Sequence, residues 1–150
     1  MRAAACLALA LLAPGPPALA QAAPEGADAA DSQARRRLVA DNLPLEPAEA
    51  KAFWPLYAHF ERDLAALVQR RRGILNRLGE HYDDMGEAVA RQITLEYLDY
   101  QEARVKLMKA YFPKFEKVLP ARKLARFYQI EARIRAAIDA EIAERVPLIK

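Results

Sequence analysis

Residues 47–78, PAEAKAFWPLYAHFERDLAALVQRRRGILNRL, carry one long apolar pattern, and its spacing decides the fold. Phe53, Leu56, Tyr57, Phe60, Leu64, Leu67, Val68, Arg71, Leu75 and Leu78 follow one another mostly at steps of three and four. Such steps line up on one side of a 3.6-residue turn, so the segment reads as a single long amphipathic helix. Pro47 suits its first turn, where a missing N–H costs nothing, and Glu49 lies near the positive end of the helix dipole. Pro55 falls early in the pattern and predicts a bend.

The same period continues on both sides. Downstream, Asp83-Asp84-Met85-Gly86 breaks the pattern, with Asp84 the expected N-cap of a helix starting near Glu87. That helix has one stripe of Val89, Ile93, Tyr97, Tyr100, Leu107 and Tyr111, and a neighbouring one of Leu98, Val105, Met108, Phe112 and Phe115. So wide an apolar surface is expected to touch more than one partner element. Pro113 predicts a kink, and Leu119-Pro120 marks the joint to a last helix over 121–145. There Leu124, Phe127, Tyr128, Ile134, Ile138 and Ile142 are expected to face inward until Pro147 ends the pattern. Upstream, a short helix is expected over 32–42, closed by Pro44, whose ring pushes the preceding residue out of the α region. No alternation of β-branched residues signals a strand. The fold class is therefore all-α: an elongated hairpin of three long helices with a short N-terminal helix. A single layer cannot cover its own apolar stripe, so a homodimer is expected.

The first twenty residues read differently. Arg2 precedes an uncharged run of Ala, Leu and Cys6, Pro14-Gly15-Pro16-Pro17 breaks it, and Ala18-Leu19-Ala20 supplies small residues for a signal peptidase. Cleavage is expected between Ala20 and Gln21. The run is too short for a membrane anchor, which needs roughly 20 apolar residues. Residues 21–31 lack large apolar side chains and read as a disordered spacer ahead of the domain at 32–150. Removing 20 of the 150 residues leaves 130, and losing Arg2 lowers the formal charge from +3 to +2. The single Cys leaves with the leader, so the remaining chain has no disulfide and no thiolate ligand. Export makes nucleic acid an unsuitable partner for the slight basic excess, and leaves acidic polymers, membrane surfaces and unfolded chains.

Two segments echo each other. Leu45-Glu46-Pro47-Ala48-Glu49 leads to Phe53-Trp54, and Leu119-Pro120-Ala121-Arg122-Lys123 leads at the same distance to Phe127-Tyr128. A hydrophobic staple followed by core aromatics would give this spacing at any helix start. The layout of leader, spacer, two motifs and hairpin also resembles the Spy/CpxP-like family of periplasmic helical proteins, whose signature is a Leu-Thr-x-x-Gln motif occurring twice at helix starts. In this chain Glu46 and Pro120 take the Thr positions, and Glu49 and Lys123 the Gln positions. The resemblance implies a curved, all-helical dimer in the cell envelope. It also makes Leu45, Glu49, Phe53, Leu119, Lys123 and Phe127 the family-motif positions. Some members hold unfolded clients on a concave, basic and partly apolar face without ATP, others restrain a membrane sensor kinase, and some relatives sense metal.

Arg70-Arg71-Arg72 is the densest basic cluster within a helix, a candidate surface for acidic or unfolded clients; consecutive residues there point three ways. Arg35-Arg36-Arg37 offers a similar cluster to an acidic membrane surface. His59 with Asp63, and His81 with Met85, stand one helical turn apart, but neither pair makes a metal cage, and no metal or other cofactor is expected. Glu80, Asp83 and Asp84 near His81 fit an acidic helix-capping turn. No phosphate loop, His-Glu-x-x-His or nucleophile elbow is present, and the carboxylates alternate with Arg and Lys as on exposed faces, so no enzyme is expected. The functional expectation is a periplasmic protein that binds unfolded or envelope proteins without ATP. The alternative is a regulatory subunit of an envelope-stress or metal-sensing system, docking on a membrane sensor or anti-sigma factor.

Overall fold

A computed structural model describes residues 27–149, with side chains from residue 32 onward. The leader, the Ala20–Gln21 cleavage point and spacer residues 21–26 lie outside the described residues. Four helices follow in order: α1 (Ala27–Asn42), α2 (Pro47–Glu80), α3 (Glu87–Glu116) and α4 (Ala121–Arg145). No strand occurs among the described residues, and none of their helices is long and apolar enough to cross a membrane. The helix expected at 32–42 begins five residues earlier, so the last part of the assigned spacer is helical; its Ala-rich composition favours this state.

Helix starts follow from local chemistry. At α2, the Glu46 N–H donates to Glu49 Oε2 at 2.8 Å while the Glu46 side chain accepts from the Glu49 N–H, a reciprocal capping box with Pro47 in the first turn. α3 is capped by Gly86 rather than by the expected Asp84, with no side-chain cap bond. Pro120 takes the cap position of α4, and its carbonyl accepts the Leu124 N–H at 2.9 Å. α2 and α3 both run through their internal prolines. Pro55 and Pro113 are exposed, so the ladder bonds they delete lie where water can replace them.

α2 packs along α3 as an antiparallel hairpin, α1 lies against α4, and α4 also touches α3. One end of the hairpin is covered by α1 and α4 and holds the main core. Val39 and Leu43 from α1 meet Phe53, Tyr57, Phe60 and Leu64 from α2, Tyr111 and Phe115 from α3, and Leu119 with α4's Leu124, Phe127, Ile130 and Ile134. The far end has only a two-helix core of Ile74, Ile93 and Tyr100, with Leu67, Met85 and Val89 packed on it. The buried seam of α2 keeps alternating steps of four and three through Leu64, Leu67, Arg71 and Ile74, as in a coiled coil. That register puts Ile74 inside, a position the sequence reading passed over in favour of Leu75.

Candidate protein-binding surface

The two echoing segments meet inside the main core. Lys123 Nζ donates to Glu49 Oε2 at 2.6 Å, so the two residues in the motif's Gln positions form an ion pair across 74 residues of chain. Phe53 and Phe127 stand edge to face with centroids 5.4 Å apart, Leu119 is buried, and Leu45 packs against the same cluster. All six motif positions thus belong to one joint between the starts of α2 and α4. The Lys123 hydrogen bond, and next the Glu46 N–H, hold the Glu49 carboxyl below its ordinary range. A depressed folded pKa gives stability that is present above the unfolded value and lost as pH falls through the folded one. The urea midpoint is therefore expected to drop as pH is lowered from 6 to 3, and Glu49→Gln is expected to remove part of that slope.

The joint is completed by a buried charge that periodicity alone did not reveal. Glu131 of α4 is fully buried, is paired with Arg35 of α1, and accepts a hydrogen bond from the Tyr57 hydroxyl at 3.4 Å. Burial, then the charges of Glu131 and Glu61, push the Tyr57 hydroxyl far up, so it stays a donor. Further along α4, Arg135 donates to the Tyr100 hydroxyl at 2.8 Å and to Gln101 Oε1 at 2.9 Å, and pairs with Asp139. These contacts fasten α1 and α4 to the hairpin.

The basic clusters are dispersed by the same packing. Arg70 lies 3.6 Å from Asp99 of α3, Arg71 turns inward to 3.8 Å from Asp139 of α4, and Arg72 donates to Gln69. They do not share one face. Of the N-terminal cluster, Arg35 holds Glu131, and Arg36 lies over the Trp54 ring at 4.8 Å and within 3.8 Å of Glu61. His59 contacts Arg62, while Asp63 accepts from the Tyr111 hydroxyl at 2.6 Å. That bond, after burial, pushes Tyr111 up to about 12. Met85 packs on the far core rather than pairing with His81 as a ligand set. No group of three His, Cys, Asp or Glu among the described residues is placed to hold a metal.

What stands open is part of the second stripe of α3, whose Phe115 is instead fully buried in the main core and whose Met108 is half-buried against it. Leu95, Leu98, Val105 and Phe112 are 44–55% exposed, and Tyr97, expected on the inward stripe, is as exposed as Phe112. The reason is the single layer: α2 covers one side of α3, α4 touches it only in part, and no other helix among the described residues packs on the remaining side. Beside Val105 and Phe112, a hollow of about 270 Å³ opens toward α4, lined also by Met108, Lys109 and Tyr128. Its wall is fixed, because the Tyr128 hydroxyl donates to the Met108 carbonyl at 2.8 Å and the Phe112 and Tyr128 rings lie 5.9 Å apart. No family model, curated protein or solved structure matches this chain. The α3 stripe therefore has to be interpreted from its own chemistry. It is a ridge of aliphatic and aromatic side chains with Arg91, Glu102, Lys106 and Lys109 exposed along the same helix. A second cavity, of about 370 Å³, lies between α1, α2 and α4 among Leu38, Leu64, Val68, Ile134 and Ile138.

Proposed function

We propose that the protein holds apolar segments of other proteins on the α3 stripe, as an ATP-independent, chaperone-like factor of the periplasm related to the Spy/CpxP-like family. The observation that carries this reading is the run of Leu95, Leu98, Val105 and Phe112, about half exposed on one helix. Lone exposed apolar residues are commonplace, whereas a contiguous ridge beside a preformed hollow is the character of an interaction surface. An unfolded chain exposes the apolar surface from which aggregation starts, and adsorption on this ridge would cover it. Lys106 and Lys109 beside it add attraction for acidic segments. The union of the two motif segments in one joint supports the family relation, and the periplasmic setting rests on the leader pattern of residues 1–20.

The test is suppression of aggregation of a denatured model client by the purified protein without ATP. Near-stoichiometric suppression is expected. The triple variant Leu98→Ser/Val105→Ser/Phe112→Ser is expected to lose most of it while unfolding within a few degrees of the parent, because exposed sites contribute little to stability. Substituting Arg70 and Arg72 with Ser is expected to have the smaller effect. Suppression that survives the triple substitution would remove the stripe from the mechanism. No suppression by folded protein would leave a dedicated envelope partner as the better reading.

A further inference from the structure

We infer that the cavity between α1, α2 and α4 is a binding site for one medium-length alkyl chain with a carboxylate head, a free fatty acid. The site is separate from the client surface, because its lining comes from α1, α2 and α4 and none of it from α3. At about 370 Å³ it falls within the range of small-ligand pockets.

The lining sets the chemistry of the tail. Leu38, Leu64, Val68, Ile134 and Ile138 form it with alanines between them, and no aromatic ring stands among the described residues that line it. A flat ring system has nothing there to stack on, whereas a saturated chain makes aliphatic contact along its whole length. The helices set the length. Leu64 and Ile134 are buried and end the cavity against the main core, and Arg71 and Glu141 line it seven residues further along α2 and α4. Seven residues of helix rise about 10 Å. With C–C bonds of about 1.52 Å at about 111°, an extended chain advances about 1.25 Å per carbon, so about eight to ten carbons span that distance. A methylene takes up about as much space as a water molecule, about 30 Å³, so ten carbons fill most of the cavity. A second chain has no room, which favours a free acid over a two-chain lipid.

Charge sets the head. Among the charged residues of the lining, Arg35 is held by Glu131, and Glu141 pairs with Arg145 at 2.7 Å. Glu61 accepts from Ser32 at 3.3 Å and lies 3.8 Å from Arg36. Arg71 is differently placed. Its carboxylate, Asp139 at 3.8 Å, is outside hydrogen-bonding reach and is drawn more closely to Arg135. A guanidinium carries five donors and grips a carboxylate through two parallel bonds. Only 15% of the Arg71 side chain is exposed, so a pair formed there is poorly screened by salt.

Isothermal titration calorimetry of the purified protein with decanoate, kept below its micelle concentration, tests the inference. Saturable binding at one site per chain is expected, with hexanoate weaker by about tenfold or more because fewer methylenes leave water. Arg71→Gln should weaken decanoate by about tenfold while leaving decanol unchanged, and Arg71→Lys should recover part of the loss. Ala65 and Val68 line the cavity at exposed and half-buried positions, so Ala65→Trp and Val68→Glu should obstruct it without unfolding α2, as unchanged helicity by circular dichroism verifies. The Leu98→Ser/Val105→Ser/Phe112→Ser protein should bind decanoate like the parent. Absence of saturable binding, an Arg71→Gln protein that binds decanoate like the parent, or binding that survives both Ala65→Trp and Val68→Glu would each overturn the inference. Loss of binding in the triple variant would move the ligand to α3, and flotation with phosphatidylglycerol vesicles in place of decanoate binding would replace the free acid by a membrane; either result overturns it. These readouts contain no client, so their failure is separable from that of the chaperone reading.

Discussion

Replacing Arg35 by alanine is expected to destabilise the protein by about 3–5 kcal/mol, the usual cost of leaving one partner of a buried ion pair behind. Glu131 has no exposed surface, and the Arg35 guanidinium is its cation. Without Arg35 the carboxylate retains one hydrogen bond, the 3.4 Å one from the Tyr57 hydroxyl, long for an O–H donor, and the more distant attraction of Arg104. The loss should scarcely depend on salt, since a buried pair is poorly screened. The double variant Arg35→Leu/Glu131→Leu is expected to recover most of the stability, because apolar residues of similar volume commonly replace a buried pair at little or no cost. Urea unfolding of Arg35→Leu, Glu131→Leu and the double variant closes the cycle. A loss under about 1 kcal/mol for Arg35→Ala would mean that water reaches Glu131, which would detach α1 from the account of the core.

Phe127→Ala should be comparably severe, at about 3–5 kcal/mol, through the cavity left in the aromatic cluster. The Phe127 ring is fully buried and lies 4.6 Å from Phe115 and 5.4 Å from Phe53, with Tyr57 and Phe60 at about 6 Å. Its neighbours come from α2 and α3, so its removal loosens three helices at once. Phe112→Ala, an aromatic truncation at the exposed stripe, should change stability by less than about 1 kcal/mol. Thermal unfolding followed by circular dichroism compares the pair. Equal losses for both would contradict the division between core and surface aromatics drawn here.

The all-helical class and the bounds of α2, α3 and α4 were legible because long segments repeat at three and four residues and because Pro47, Gly86 and Pro120 punctuate them. Ile74 and Ile130 were missed for one reason: the stripe drifts around a long helix, and only the partner helix fixes which neighbour is buried. Tyr97 was placed inside by the same reasoning and lies outside, where no other helix among the described residues covers it. Glu131 was invisible, since a carboxylate one residue after Ile130 reads as solvent-facing until Arg35 arrives from 96 residues away. Among the candidate site residues, the motif positions could be singled out from spacing, but their meeting as Glu49–Lys123 is a fact of three dimensions. That the basic run at 70–72 points three ways was legible from a helical rotation of about 100° per residue, but its partners Asp99 and Asp139 were not.

The joint between the starts of α2 and α4 also constrains the order in which the molecule can fold. The hairpin closes through neighbours brought together by a short turn, a local and fast event, whereas the joint links residues 74 positions apart and must wait for them. Synthesis proceeds from the N-terminus, so Phe53, Tyr57 and Phe60 emerge before the segment that buries them. Until α4 is released, the nascent chain is a helical hairpin with its aromatic cluster uncovered at one end. A chain cut short at the α3–α4 turn would be held in that state, itself the kind of sticky intermediate that other proteins must shield.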